Sequence, residues 1–191
     1  MIRRFAFAVA LLAAACTPPT SPAAQRQDDE AAIAAVVTKL DEAVDKKDWA
    51  GARAAFTDRI EVDLSSLGGE PDSVPADELV GNWKANLPRG KSSFHMLSAP
   101  TIKIDGDTAT FKANGYAWNK LDARAENNLW EVWGVYQHKL TRTPLGWKIS
   151  SFGFHKTAER GDPTIRDAQP GAIVPLAGEE EDGKKKKADE D

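Results

Sequence analysis

Histidine, cysteine and tyrosine, the side chains that titrate near or above neutral pH and often take part in catalysis, are few in this sequence. The chain of 191 residues contains three histidines, one cysteine and two tyrosines, and imidazole is the side chain that titrates near neutral pH. His95, His138 and His155 are far apart, with no His-x-His or His-x-x-Glu spacing. Because zinc sites favour such closely spaced ligands, we expect no metal and no other cofactor. Proton transfer by an imidazole is a chemistry that these residues could carry.

Tyrosines and tryptophans lie in the second half of the chain, where apolar and polar residues alternate. Alternate residues of a strand share a face, so Tyr116 lies with Trp118, and Tyr136 lies with Trp130 and His138. A tyrosine can polarise a carbonyl group, and tryptophans supply apolar walls. This alternation does not show which of the two faces of the sheet lines a pocket. The candidate pocket residues are Asp63, Tyr116, Trp118, Trp133 and Tyr136.

Helices are expected before these strands. Apolar residues recur with helical spacing from Ile33 to Val44, which predicts a long amphipathic helix with Asp28 or Asp29 as its N-cap. Two shorter helices are expected to begin behind Asp48 and at Pro75. All of them can pack on one face of a sheet.

The sheet is predicted from period-two patterning after Gly90. Asp105-Gly106 is a tight-hairpin signal, and Gly115, Gly134 and Gly153 are positions where long strands can bend. The fold class is therefore α+β, with helices packed on a curved, mainly antiparallel sheet that encloses an apolar cone. The predicted strands after Gly90 are 92–99, 101–104, 108–119, 128–142 and 147–156.

Composition excludes several classes of protein. Hydrophobic residues make up 41% of the chain, which is enough for one domain with a core. The net charge of −4 argues against a strongly basic nucleic-acid binder. No apolar run reaches the roughly 20 residues of a membrane-spanning helix, and a single cysteine cannot form an intramolecular disulfide.

Both ends of the chain read as segments outside the domain. Residues 1–15 have the basic head and apolar stretch of an export signal. Followed by Cys16, the segment resembles a bacterial lipoprotein signal, which implies lipidation of that cysteine and a place in the cell envelope. The alternative is secretion after signal cleavage. We expect a tether over 16–27, a folded domain over 28–158 and a charged, unfolded tail over 159–191. The chain is expected to contact the membrane only through the lipid anchor.

Several short motifs occur in an order that resembles a SnoaL-like domain of the nuclear transport factor 2 (NTF2) superfamily, over about 28–158. The resemblance implies a cone-shaped α+β fold that is frequently a homodimer formed through the sheet. The motifs are the helical segment 33–56, IEVDLSSLGG at 60–69, FHML at 94–97, DGDTA at 105–109 and GWKI at 146–149.

The enzymatic pattern that can be laid on these motifs is similar to that of scytalone dehydratase. It carries over Asp45 and His95 as an aspartate–histidine pair, with His95 as the acid or base and Asp45 as its orienting partner. Two substrate-polarising tyrosines of that pattern are replaced here by Val44 and Leu64. Tyr116 and Tyr136 are the residues of this chain that could take over their role.

Two functional hypotheses follow. The first is a cofactor-independent dehydratase, cyclase or isomerase acting on a hydrophobic carbonyl compound, as Asp45 and His95 favour. The second is a non-catalytic envelope lipoprotein that binds a hydrophobic small molecule or a protein partner, as the signal and the tails favour. Neither involves nucleic acid.

Overall fold

The computed structural model describes residues 21–122, 126–168 and 170, in which the helices come mainly first and five consecutive strands follow. None of the helices in these residues is long and apolar enough to cross a membrane. The α-helices are α1 (Pro22–Lys46), α2 (Trp49–Ala54) and α3 (Ala76–Asn86).

The strands form one mixed, mostly antiparallel sheet. They are β1 (Phe56–Asp63), β2 (Asp72–Pro75), β3 (Lys91–Leu97), β4 (Thr101–Asp105), β5 (Thr108–Leu121), β6 (Leu129–Thr143) and β7 (Gly146–Gly161). Their order is β2-β1-β7-β6-β5-β3, with β4 also paired to β5, and β1 runs parallel to β7. The predicted α+β class is confirmed. The edge strand β2 was not expected, because four residues are too few for an alternating pattern to stand out.

Helix α1 begins earlier than its apolar pattern indicates. The Ser21 hydroxyl accepts a hydrogen bond from the Ala24 N–H at 3.2 Å, and Pro22 occupies the first turn. Both are favourable start signals, although residues 25–30 are all polar and give no apolar helical pattern. The expected tether therefore has the wrong boundary, because 22–27 are helical. The predicted signal segment and Cys16 lie outside the described residues.

Asp29 is a buried anchor within α1 rather than its N-cap. Its carboxylate accepts hydrogen bonds from Arg142 Nη1 and Nη2, both at 2.7 Å, and from Trp147 Nε1 at 3.1 Å. The Arg142 guanidinium also lies 4.3 Å from the centre of the Trp147 ring. These contacts, with the hydrogen bonds from Arg142 first, hold the pKa of Asp29 well below its usual range. They join α1 to the hairpin between β6 and β7.

The folded domain extends beyond its expected end at residue 158. Strand β7 continues to Gly161, and a 3-10 turn follows at Pro163–Arg166, which we call the C-terminal turn. Ile165 in this turn is fully buried. The buried Lys91 ammonium donates to the carbonyl oxygens of Arg166 at 2.5 Å and Ala168 at 3.2 Å. The predicted start of the tail at residue 159 is therefore wrong. The sequence there is mostly charged, but it contains the buried Ile165 and the carbonyl groups that Lys91 binds.

Two paired glycines in β5 and β6 leave room for the ring of Tyr136 on the inner face of the sheet. Gly115 of β5 faces Gly134 of β6, and the pairing of β6 with β7 shifts register beside Gly134. A Cβ on Gly115 would overlap the Tyr136 ring and lie 2.9 Å from Leu97 Cδ2. The expected bends at Gly115 and Gly134 thus coincide with a close side-chain contact.

We expect Gly115→Ala to lower the free energy of unfolding by about 1–3 kcal/mol, because the added methyl group overpacks against Tyr136. The matched control is Gly81→Ala on the exposed side of α3, where an added Cβ meets nothing within 4 Å. That change should leave stability unchanged or raise it by up to about 1 kcal/mol. Denaturant titration measures both, and equal effects of the two changes would contradict the proposed close contact.

Candidate active site

A cavity of about 390 Å³ lies between the helices and the inner face of the sheet. This volume is within the range of about 300–1,000 Å³ that is typical of small-molecule sites. Its walls are mainly apolar and aromatic. The apolar lining includes Leu40, Val44, Trp83, Val132, Phe152 and Phe154.

The Asp45 carboxylate is fixed near the end of α1 by residues of β3. Ser93 Oγ donates to Asp45 Oδ1 at 2.9 Å, and the backbone N–H of His95 donates to Asp45 Oδ2 at 2.9 Å. Ser93 and His95 are two residues apart in a strand, so both side chains point toward α1. Since each carboxylate oxygen has a partner, its orientation is set before any ligand binds.

The His95 imidazole joins this carboxylate to the cavity. His95 Nδ1 lies 2.7 Å from Asp45 Oδ1, and both side chains are 19% exposed. An ionised Asp45 can only accept, so Nδ1 carries a proton, and in the neutral imidazole Nε2 has the free lone pair. His95 also lines the cavity. The structure thus brings together the aspartate and the histidine that the scytalone dehydratase resemblance paired.

The pKa values of the pair are shifted in opposite directions. Burial alone would lower the pKa of His95, but the hydrogen bond to Asp45 and the charges of Asp41 and Asp45 raise it overall. Burial alone would raise the pKa of Asp45, but its hydrogen bonds from His95 and Ser93 lower it overall. The histidine is therefore a stronger base than a free imidazole.

Tyr136 is the predicted tyrosine that reaches the cavity. It lies on the inner face of β6, is 5% exposed, and lines the cavity with His95. Burial, followed by the charges of Asp41 and Asp45, raises the pKa of its phenol well above the ordinary value. The phenol therefore keeps its proton at neutral pH and can act as a hydrogen-bond donor.

The other candidate pocket residues lie outside this cavity. Ala117 and Asn119 line it from β5, so Tyr116 and Trp118 point to the outer face of the sheet, where Trp133 of β6 is paired with Tyr116. The Tyr116 hydroxyl donates to Glu131 Oε1 at 2.7 Å. The interpretation of Tyr116, Trp118 and Trp133 as lining residues chose the wrong face of the sheet.

Asp63 also lies away from the cavity, at the end of β1. Its Oδ1 accepts hydrogen bonds from Ser65 N at 3.1 Å and Ser65 Oγ at 2.7 Å. These hydrogen bonds lower the pKa of Asp63. The residue therefore caps the turn after β1, a role that its type and position also allow.

The remaining histidines do not join the pair. The His138 ring stacks between Phe111 and Phe152, with ring centroids 5.7 and 4.8 Å away, and burial lowers its pKa to about 4. His155 is exposed. Within the described ranges of the chain, no three His, Cys, Asp or Glu side chains are grouped so that they could hold a metal ion.

Sequence reasoning missed several polar residues of the cavity. Asp41 lies one helical turn before Asp45 and lines the cavity between Leu40 and Val44. An acidic residue among the apolar positions of a helix is the signal that could have revealed it. The other missed polar residues are Asn86, Asn119, Arg166 and Asp167.

The fold of this domain is NTF2-like, as comparison with solved structures shows. A Kribbella flavida protein, Kfla4162, has 25% identity and a TM-score of 0.69, with 75% of this chain and 99% of that chain covered. A Novosphingobium aromaticivorans protein described provisionally as a scytalone dehydratase has 14% identity and a TM-score of 0.62, with 80% and 95% covered. A hexachlorocyclohexane dehydrochlorinase (LinA) of type 2 has 16% identity and a TM-score of 0.58, with 80% and 97% covered.

The family model of the SnoaL-like domain matches residues 25–153. The chain therefore belongs to the SnoaL-like family. No curated protein matches it. The homodimer that the resemblance implies stays a prediction, and so does the catalytic role of Asp45 and His95.

We expect Asp45→Asn to lower the pKa of His95, because the hydrogen bond and charge that raise it are removed and burial then dominates. NMR titration of the His95 ring measures this pKa. Asp63→Asn is the matched control, since that carboxyl lies outside the cavity, and it should leave the His95 titration unchanged. An unchanged His95 pKa in Asp45→Asn would contradict the charged hydrogen bond.

Proposed function

We propose that this domain is a cofactor-independent acid–base enzyme, a dehydratase, cyclase or isomerase that acts on a hydrophobic carbonyl compound. The observation that carries the proposal is the 2.7 Å contact between His95 Nδ1 and Asp45 Oδ1 in the wall of an apolar cavity. A base held in place by a fixed carboxylate is suited to proton abstraction.

The proposed first step is removal of a proton from a carbon next to the carbonyl. His95 Nε2 takes the proton, and the Asp45 carboxylate stabilises the imidazolium that forms. Tyr136, which keeps its proton, donates a hydrogen bond to the carbonyl oxygen where negative charge develops. The apolar walls bind the rest of the molecule and strengthen these interactions by excluding water.

The structural neighbours support this reaction class. One neighbour is a dehydrochlorinase and another is described provisionally as a dehydratase, and both names denote an elimination. An elimination begins with, or includes, removal of a proton from carbon. The similarity is one of fold, so the residues of this chain carry the chemical inference.

The experiment is hydrogen–deuterium exchange at the carbon next to the carbonyl of 1-tetralone, followed by NMR in D₂O. We expect 1-tetralone to bind, with quenching of tryptophan fluorescence because Trp83 and Trp130 line the cavity. The wild type should accelerate exchange, and His95→Gln should lower the acceleration by about 10²-fold or more. The matched control is His155→Gln, an exposed histidine, which should exchange like the wild type.

The outcomes separate the two functional hypotheses. Binding without acceleration would overturn the enzyme proposal and favour a binding lipoprotein. Exchange that is equal in the wild type and His95→Gln would remove His95 as the base. Failure to bind would contradict the proposed ligand class.

We also propose that the chain is exported and anchored in the bacterial cell envelope through a lipid on Cys16. The basic and apolar residues before that cysteine support this proposal. When the full chain is expressed in bacteria, Cys16→Ser should move it from the membrane fraction to the soluble fraction. Thr17→Ala is the control and should stay in the membrane fraction, while membrane retention of Cys16→Ser would contradict the anchor.

A further inference from the structure

The cavity contains a second carboxyl group, that of Asp41. Asp41 lies one turn before Asp45 on α1, and it lines the same cavity as His95 and Tyr136. Asp45 accepts hydrogen bonds from Ser93 and His95, but none of the hydrogen bonds among the described residues involves the Asp41 carboxyl. Asp41 is thus open to a ligand, while Asp45 is already occupied.

The surroundings of Asp41 let it keep its proton to a higher pH than an ordinary aspartate. Burial is the main cause that raises its pKa to about 6, and the charge of Asp45 acts in the same direction while His95 opposes it. Helix α3 and strand β7 contribute the uncharged lining residues Trp83, Asn86 and Phe154.

The other ionisable groups of the cavity do not replace Asp41 as a proton donor to a leaving group. Tyr136 faces Asp41 from β6, but the pKa of its phenol is raised, so it is a weaker acid than Asp41. Arg166 and Asp167 line the cavity from the C-terminal end of the domain, and they form an ion pair with each other at 2.8 Å. Arg166 also donates to the carbonyl of Leu67.

We propose that Asp41 is the general acid of this site and that the substrates are β-hydroxycarbonyl compounds, which the domain dehydrates. This inference rests on the proposed function and narrows it. A halide leaves as a stable anion, but hydroxide is a poor leaving group that needs a proton as its bond to carbon breaks. A protonated carboxyl in the same cavity as the base meets that need.

The reaction balances with these groups. His95 Nε2 takes the proton from the carbon next to the carbonyl, and that electron pair forms the carbon–carbon double bond. The carbon–oxygen bond breaks with its electrons on oxygen, which takes the Asp41 proton and leaves as water. The imidazolium of His95 then returns a proton to the Asp41 carboxylate, directly or through water, and restores the starting state.

The test uses one probe with two readouts, 4-hydroxy-4-phenylbutan-2-one. Exchange of its C3 hydrogens in D₂O requires the base alone, and its conversion to the enone also requires the acid. In Asp41→Asn we expect water loss to fall by about 10²-fold or more, while C3 exchange stays within severalfold of the wild type. In His95→Gln both should be lost, and Asp63→Asn, the control carboxyl outside the cavity, should change neither.

The pH profiles provide a second readout that a merely structural role would not change. In the wild type, C3 exchange should rise with pH to a plateau as His95 becomes neutral. Water loss should rise and then fall, because it needs a neutral His95 and a protonated Asp41 in the same molecule. His95, Asp45 and Asp41 titrate together, so the two limbs belong to the group as a whole.

The failure of this inference differs from the failure of the proposed function. Wild-type exchange at C3 without water loss, or equal water loss in the wild type and Asp41→Asn, would overturn the role of Asp41 and leave the base in place. Absence of both exchange and water loss in the wild type would overturn the proposed function as well.

Discussion

The candidate active site of this domain depends on one carboxylate, that of Asp45, which is held between helix α1 and strand β3. Its oxygens accept hydrogen bonds from the Ser93 hydroxyl, the His95 backbone and the His95 ring. The same contacts fix the helix on the sheet and the imidazole at the cavity. Stability and the proposed chemistry therefore use the same hydrogen bonds.

The stability that this pair supplies has a defined pH window. The raised pKa of His95 contributes fully below the ordinary histidine value of 6.5, and its contribution is lost as pH rises through the folded value. The lowered pKa of Asp45 contributes above the ordinary aspartate value of 3.8, and its contribution is lost as pH falls. The charged pair is therefore most stabilising between these ordinary values, whereas a base must be neutral to act. The site gives up part of its stability at the pH where the proposed chemistry proceeds.

Local sequence patterns predicted the elements of the fold better than they predicted the site. Period-two patterning placed the strands after Gly90 within a few residues, because alternation is a local property. The choice of sheet face was not local: Tyr116 and Tyr136 look alike in sequence, yet only Tyr136 faces the helices. Asp29 resembled an N-cap because its partner, Arg142, is 113 residues away. Asp41 was missed because its importance comes from burial, which tertiary structure decides.

The position of β7 in the sheet has a consequence for the order of assembly. This strand, the last among the described residues, lies between β1 and β6, so β1 finds its parallel partner only after almost the whole described domain has been made. The buried Lys91 likewise waits for the carbonyls of Arg166 and Ala168. Such long-range pairing slows folding and favours a late, concerted closure. A chain that is still emerging from the ribosome, or one cut at residue 153 where the family match ends, would contain the Asp45 and His95 pair but not the finished wall around it.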